Sequence, residues 1–247
     1  MQPPFFTMDN IAIVIPARMA STRFPGKPLA PLGGKPMLQW VYEACLRSEV
    51  TGSILIATPD QEIADACASF HAECFFTSPD HPSGTDRIAE VSRSRREELY
   101  LNVQGDEPFI PIETIQACFR ALVNQKEQLA ASVFTDCSLA EELDPSVVKV
   151  VISQDMNALY FSRAAIPYKR VPTTEPLKRH LGIYGYSKEV LGHYVSWQQG
   201  TLEKIEGLEQ LRFLENGVQI RMEKGIAGPT AVDTPEQLEE LRRLIGG

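Results

Sequence analysis

Short β-branched, apolar runs alternate with amphipathic stretches through the first half of the chain, and that alternation limits the fold more than any other feature. Ile11–Ile15, Ser53–Ala57, Glu73–Thr77, Leu99–Val103, Ala130–Phe134 and Val147–Ile152 read as strands. Between them, Met37–Ser48, Gln61–Phe70, Gly84–Arg96 and Ile112–Asn124 read as helices. Strands separated by helical patterns predict βαβ units and a mainly parallel sheet covered on both faces. In the first helix, Met37, Trp40, Val41, Ala44 and Cys45 recur at helical spacing and belong to the core.

After about residue 152 the rhythm changes. Ser162 to Arg179 is irregular and rich in Pro, Lys and Arg, and an apolar strand, His180–Tyr186, follows it. Helices at Ser187–Trp197 and Leu202–Glu215, a strand at Val218–Glu223 and a last helix from Thr234 to Leu244 complete the pattern. Thr234 suits an N-cap, with Pro235 at the first helical position and Gln237 at the capping-box position. No repeat or long linker divides the 247 residues, so one large domain over 11–247, preceded by a tail over 1–10, is expected. Met1–Asn10 lacks the basic and apolar regions of a secretory signal, and Met8 offers an alternative start.

The net charge of −8 opposes nonspecific binding to nucleic acid or anionic membranes, so an anionic ligand must find local cations. No run approaches eighteen apolar residues, which speaks against a membrane span. The five cysteines are scattered without a CxxC pair or zinc spacing, the usage of reduced thiols in a cytoplasmic protein.

Local cations follow the first strand at once. The loop PARMASTRFPGKPL (Pro16–Leu29) carries Arg18, Arg23 and Lys27 ahead of the first helix. A loop that runs from a strand to a helix N-terminus is where α/β folds bind phosphate, although this one matches neither a Walker A loop nor a dinucleotide fingerprint. NVQGDEP (Asn102–Pro108) places Asp106 at the carboxyl end of a strand. Mg²⁺ favours one or two carboxylates completed by phosphates and water, so Asp106 is a candidate ligand. Asp233, just before the last helix, suits helix capping at least as well as metal binding. Ser83-Gly84-Thr85 opens a helix, where the commoner use of such a turn is a cap, though it could also present backbone groups to a nucleoside. Arg163, His180, Tyr184, Glu209 and Gln210 are polar residues in apolar settings, and a lone histidine there is usually structural. Together they could serve a polyhydroxy acid, which needs a cation and several hydrogen-bonding groups.

The motifs PARMASTRFPGKPL, SGTDR, NVQGDEP, LYFSRAAIP, HLGIYGY, LEQLR and VDTPE, in that order, resemble the 3-deoxy-manno-octulosonate cytidylyltransferases, or CMP-KDO synthetases. The resemblance runs from about Ile11 to Ile245. PGKPL and GDEP are shared with wider nucleotidyltransferases, whereas HLGIYGY and LEQLR are specific to this family. It implies a nucleotide-diphospho-sugar transferase fold, a Rossmann-like α/β/α sandwich with a mixed, mainly parallel sheet and a small sugar-facing lobe, assembled as a homodimer. It also implies transfer of CMP from CTP to the eight-carbon acidic sugar KDO, with release of pyrophosphate, for lipopolysaccharide synthesis in the cytoplasm. By the same resemblance Arg18, Ser21, Arg23 and Lys27 hold the triphosphate, while Arg87, the Ser83-Gly84-Thr85 turn and Gln104 bind the nucleotide. Gln104, Arg163, His180, Tyr184, Glu209 and Gln210 surround the sugar, and Asp106 and Asp233 bind Mg²⁺. Arg23, Lys27, Asp106 and Asp233 are the expected catalytic set.

The chain departs from the family at Ala57-Thr58-Pro59-Asp60, where members commonly read Ala-Thr-Asp, and around Pro229-Thr230-Ala231. Alternatives are the same reaction on an 8-amino KDO analogue or another acid sugar, a catalytically silent nucleotide binder, and a glycosyltransferase of related fold.

Overall fold

The computed structural model describes residues 10–21, 23–125, 130–229 and 231–245, so the tail expected over 1–10 lies, apart from Asn10, outside the described residues. Its strands are β1 (Ile11–Pro16), β2 (Pro31–Leu32), β3 (Lys35–Pro36), β4 (Ser53–Thr58), β5 (Glu73–Phe76), β6 (Leu99–Asn102), β7 (Ala130–Asp136), β8 (Lys149–Ile152), β9 (Ala158–Ser162), β10 (Lys178–Ser187) and β11 (Ile220–Lys224). Its helices are α1 (Met37–Arg47), α2 (Gln61–Ser69), α3 (Gly84–Ser94), α4 (Ile112–Val123), α5 (Leu139–Glu142), α6 (Lys188–Tyr194), α7 (Thr201–Glu206), α8 (Leu211–Glu215) and α9 (Pro235–Ile245).

The main sheet has the order β11-β7-β10-β6-β1-β4-β5, with β8 and β9 attached through β10. β10 runs antiparallel to both β6 and β7, and the other neighbouring pairs in that order are parallel, so the sheet is mixed and mainly parallel. Alternation along β1 explains how it is covered. Ile11, Ile13 and Ile15 face a core shared with α1, α2 and α4, whereas Ala12 and Val14 face a second core shared with α3, α6 and α8. A strand buried on both faces must be apolar throughout, which is why IAIVI shows no polar alternation. α9 closes a third, smaller core over Leu32 and Met37 with Val232, Leu238 and Leu241.

Several elements differ from the sequence reading. The long helix expected over Leu202–Glu215 is two, α7 and α8, because Gly207 adopts a left-handed φ of 63° after α7. A buried ion pair, Arg212 Nη2 to Glu203 Oε1 at 2.6 Å, staples the halves together. The β2–β3 hairpin lies within the loop expected after β1, and the single-turn helix α5 and strand β9 lie where the sequence reading assigned no element.

β1 pairs with β4 on one side and β6 on the other, so the chain reverses its direction of travel across the sheet between β1 and β6. Such a switch point leaves a crevice beyond the strands' carboxyl ends.

At the opposite edge of the sheet, Glu97 is 3% exposed and accepts from Ser53 Oγ at 2.7 Å and Arg95 Nη2 at 2.9 Å. Burial pushes its carboxyl up, but the bonds from Arg95 and Ser53 outweigh burial and hold it at about 2. A carboxylate depressed in the folded state adds stability that is complete above its unfolded pKa of roughly 4.3 and is lost as pH falls through the folded value. Glu97→Gln should cost about 2 kcal/mol at neutral pH. Urea titrations of wild type and variant between pH 7 and pH 2 should converge as pH falls, and parallel curves would assign the ion pair no such role.

Candidate active site

The loop after β1 is built to hold its cations still. Ala17 N–H donates to Ala57 O at 2.9 Å, Met19 N–H to Asp60 Oδ2 at 2.7 Å, and Gly26 N–H back to Met19 O at 3.0 Å. Gly26 closes this turn at φ 74°, a conformation that strains residues with a Cβ. Asp60, the N-cap residue of α2, therefore fastens this loop to the start of that helix. Ser21 Oγ accepts from Phe24 N–H at 3.3 Å, and a 3₁₀ turn over Lys27–Leu29 then aims Lys27 inward.

Lys27 Nζ lies 2.8 Å from Asp106 Oδ2 and 3.3 Å from Asp233 Oδ1, with its side chain only 13% exposed. Arg23 Nη2 also reaches Asp233 Oδ1, at 3.1 Å. Two aspartates far apart in sequence thus meet on one ammonium. The backbone locks the meeting, because Val232 N–H donates to Asp106 O at 2.9 Å. Gly105 permits it, since a Cβ there would stand 2.9 Å from Pro16 O at the end of β1.

Asp233 does not need to cap α9. Thr234 Oγ1 accepts from Gln237 N–H at 3.4 Å, and Gln237 Oε1 accepts from the N–H groups of Thr234 and Asp233 at 3.0 and 2.6 Å. The capping box uses neighbours on both sides and leaves the Asp233 carboxylate to the cations. Thr230, in the loop before it, lies outside the described residues.

A cleft of about 720 Å³ opens over the switch point. Arg18, Ser21, Arg23 and Lys27 line it from the first loop, Ser83, Gly84 and Arg87 from α3, and Gln104 and Asp106 from the loop after β6, with Asp233 at its rim. Ser83 caps α3 through Asp86 N–H while lining the cleft, so the capping and ligand-facing readings of that turn coexist. Arg87 is 3% exposed and bonds Thr77 Oγ1 and, at 3.1 Å, Ser78 O. Burial and the nearby charge of Arg18 pull its pKa down. Gln104 Nε2 is steadied by Asn102 Oδ1 at 3.1 Å.

The residues expected around a sugar separate into three groups. His180 and Tyr184 sit side by side on β10, their rings 5.3 Å apart, with Tyr184 opposite Asn102, the last residue of β6, and His180 beyond it. Ser132 Oγ donates its single proton to Ile183 O at 2.7 Å and so accepts from His180 Nε2 at 2.8 Å, leaving Nδ1 as an acceptor. Burial and then Arg179 drive the His180 pKa down to about 3, which keeps the ring neutral. Glu209 is solvent-exposed, yet its pKa is raised by desolvation, as for a carboxylate on the wall of a concavity. It accepts from Thr85 Oγ1 at 3.1 Å, so Thr85, 3% exposed, supports Glu209 and is absent from the cleft wall. Gln210 is 3% exposed at the start of α8. Arg163 does not line the cleft. Its Nε donates to Glu206 O at 2.9 Å and its Nη1 to Pro145 O at 3.1 Å, so hydrogen bonding to main-chain carbonyls directs it elsewhere.

Sequence reasoning missed Glu107. It follows Asp106, and burial, then Asp106, push its pKa up to about 7 while Arg179 draws it down. The signal was the second acid of GDEP, adjacent to the candidate ligand Asp106.

Among the described residues no group of three or more His, Cys, Asp or Glu side chains could hold a metal. Two carboxylates that share a cation beside a cationic cleft do fit Mg²⁺ bound together with phosphates.

The sequence model of the family described as Cytidylyltransferase matches residues 12–220. A 3-deoxy-manno-octulosonate cytidylyltransferase of Vibrio vulnificus (strain YJ016) is 45% identical over 247 residues, covering 96% of this chain and 98% of that one. A solved CMP:2-keto-3-deoxy-manno-octonic acid synthetase complexed with CTP superimposes with a TM-score of 0.93 at 39% identity, over 96% of this chain and 99% of that one. A 4-diphosphocytidyl-2C-methyl-D-erythritol synthase from Anaerococcus prevotii, 14% identical with a TM-score of 0.66 over 98% of this chain and 100% of that one, shares the fold.

The capping box makes Asp233 and Thr234 separable. Thr234→Ala should lower unfolding free energy by about 1 kcal/mol in denaturant titration, and Asp233→Asn by no more than roughly 0.5 kcal/mol. The reverse order would return the capping role to Asp233.

Proposed function

The chain belongs to the cytidylyltransferase family, and from that membership we propose how its residues carry out the reaction. It transfers CMP from CTP to 3-deoxy-manno-octulosonate and releases pyrophosphate. The product is an activated acid sugar, destined for lipopolysaccharide assembly. One observation carries the assignment of roles: the Lys27 ammonium joins Asp106 and Asp233 at the rim of a cationic cleft over the switch point.

Four cationic side chains, Arg18, Arg23, Lys27 and Arg87, line that cleft against the two carboxylates Asp106 and Asp233. They supply the local positive field that a chain of net charge −8 lacks as a whole. In this reading Arg18, Ser21, Arg23 and Lys27 hold the triphosphate, while Ser83, Gly84 and Arg87 border the nucleoside. Gln104 stands between the two substrates, and His180, Tyr184 and Glu209 face the sugar. Thr85 acts through Glu209, Gln210 from beneath it, and Arg163 from outside the cleft.

The sugar's anomeric hydroxyl attacks the α-phosphorus of CTP and pyrophosphate departs in line. Positioning and charge neutralisation dominate such a transfer. Asp106 and Asp233 would hold Mg²⁺, which when bound neutralises phosphate charge and favours ionisation of the attacking hydroxyl. Lys27, no longer needed to neutralise the two aspartates, and Arg23 would then face the phosphates and stabilise the departing pyrophosphate. His180, held neutral, would offer the sugar an acceptor at Nδ1 without a charge.

Cytoplasmic action is proposed on the free state of all five cysteines. No helix among the described residues is long and apolar enough to cross a membrane. A homodimer is proposed through the lobe that carries Leu139, Leu143, Tyr168 and Val171, each more than 70% exposed. Large apolar side chains left this exposed are candidates for burial against a second copy. Light scattering at micromolar concentration should give twice the chain mass, and a monomer would remove the proposal.

Pyrophosphate release should require CTP and KDO together with Mg²⁺. Equal turnover with UTP and a sugar 1-phosphate would sink the assignment, and preference for an 8-amino analogue would reassign only the sugar. Asp106→Asn and Asp233→Asn should each lower kcat by about 10²- to 10⁴-fold, with the double variant little worse, as for two ligands of one site. Near-normal turnover and Mg²⁺ dependence in Asp233→Asn would restrict the metal role to Asp106.

A further inference from the structure

Among the described residues, the carboxylates near the Lys27 site and β10 have side-chain partners, with one exception. Asp106 and Asp233 meet Lys27, Glu141 meets Arg179, and Glu209 accepts from Thr85. The Glu107 main chain bonds Gln104 O and Ile110 N–H, but its half-buried carboxylate has no hydrogen-bond or ion-pair partner among the described residues. A carboxylate partly withdrawn from water without a donor is unfavourable, and a ligand that brings donors relieves the deficit.

Its position says which ligand group can do so. Glu107 Oε1 lies 3.4 Å from the point where a Cβ on residue 182 would stand, and Gln104 Cγ lies 3.9 Å from it. Residue 182 is glycine, inside the register shift of β10 between Leu181 and Tyr184. The missing side chain leaves a gap bordered by Glu107, Gln104 and the strand that carries His180 and Tyr184. Glu107 and Glu209 both act electrostatically on Tyr184. Arg18, Arg23 and Lys27 line the cleft together with Gln104, and Glu107 stands beside Gln104 at the Gly182 gap, away from those cations.

An acidic sugar is polarised, with a carboxylate beside its anomeric centre and a neutral, hydroxyl-bearing tail. We infer that Glu107 accepts hydrogen bonds from the tail hydroxyls of the sugar and, by repelling the acid end, turns the anomeric hydroxyl towards the nucleotide. The inference rests on the proposed cytidylyl transfer to an acid sugar and names the residue that sets the sugar's direction.

The test uses the full chain with Glu107→Ala and Glu107→Gln. KM for KDO, KM for CTP and kcat are measured, together with the inhibition constant of a six-carbon 3-deoxy-2-keto acid that competes with KDO but lacks the tail diol. Glu107→Ala should raise KM for KDO by about 10- to 100-fold, the cost of losing a hydrogen bond to a charged group, with KM for CTP within about twofold. Its inhibition constant for the shortened acid should stay within about twofold of wild type, because the tail is what Glu107 holds. Glu107→Gln, which retains an acceptor, should fall between and serves if the alanine variant does not fold. Equal losses for KDO and the shortened acid, a parallel rise in KM for CTP, or no change in any constant would overturn the inference. Failure of the wild type itself to make CMP-KDO would instead remove the reading beneath it.

Discussion

The contact of Lys27 with Asp106 and Asp233 joins three segments that are otherwise independent: the loop after β1, the loop after β6 and the approach to α9. Two carboxylates brought this close repel each other unless a cation stands between them. The ammonium is that cation, and at 13% exposure it is screened by protein on most sides, so its attraction is not lost to solvent as a surface pair's would be. The backbone bond from Val232 to Asp106 and the absence of a side chain at Gly105 do the remaining work. Without Gly105 the loop after β6 would collide with Pro16 O, and Asp106 would not reach Lys27. The site is therefore a consequence of close backbone approach first and of charge second.

Much of this was legible because it is local. The strand that delivers Arg18, Arg23 and Lys27, and the strand that ends in Asp106, are apolar runs long enough to show their type, and the parallel order follows from the helices between them. What the sequence hid was decided by tertiary contacts. β2 and β3 have two residues each, too few to show any period. The break after α7 depends on the Gly207 backbone and on a buried Arg212–Glu203 pair nine residues apart, which a helical pattern alone conceals. Asp233 was ambiguous because capping and metal binding favour the same residue at the same place, and only the Thr234–Gln237 geometry separates them. The carbonyls of Glu206 and Pro145 that engage Arg163 come from distant segments, and nothing in the LYFSRAAIP motif announces them. Glu107 escaped because sequence cannot tell which of two adjacent acids meets Lys27 and which keeps no side-chain partner.

The charge pattern links fold and chemistry. A chain of net charge −8 attracts a polyanionic nucleotide only at short range, since beyond roughly 8 Å salt screens even a favourable field. The cations must therefore stand within reach of the phosphates before binding, and the loops that carry them must not be free to move away. Asp60 pins Met19, Glu90 accepts from Ser78 N–H at 2.9 Å, and Arg87 grips Ser78 O from the other side. Each tie runs from a helix to a loop that borders the cleft, so the rigidity of the α/β/α core is passed directly to the cleft. In a transfer where the protein performs little covalent chemistry, this prior fixing of charge is the main contribution a fold can make, because donors already in place need no reorganisation as charge develops. It also accounts for the use of two cores that meet at β1: both faces of that strand must be held for its loop to be held, and the loop carries the cleft cations Arg18, Arg23 and Lys27.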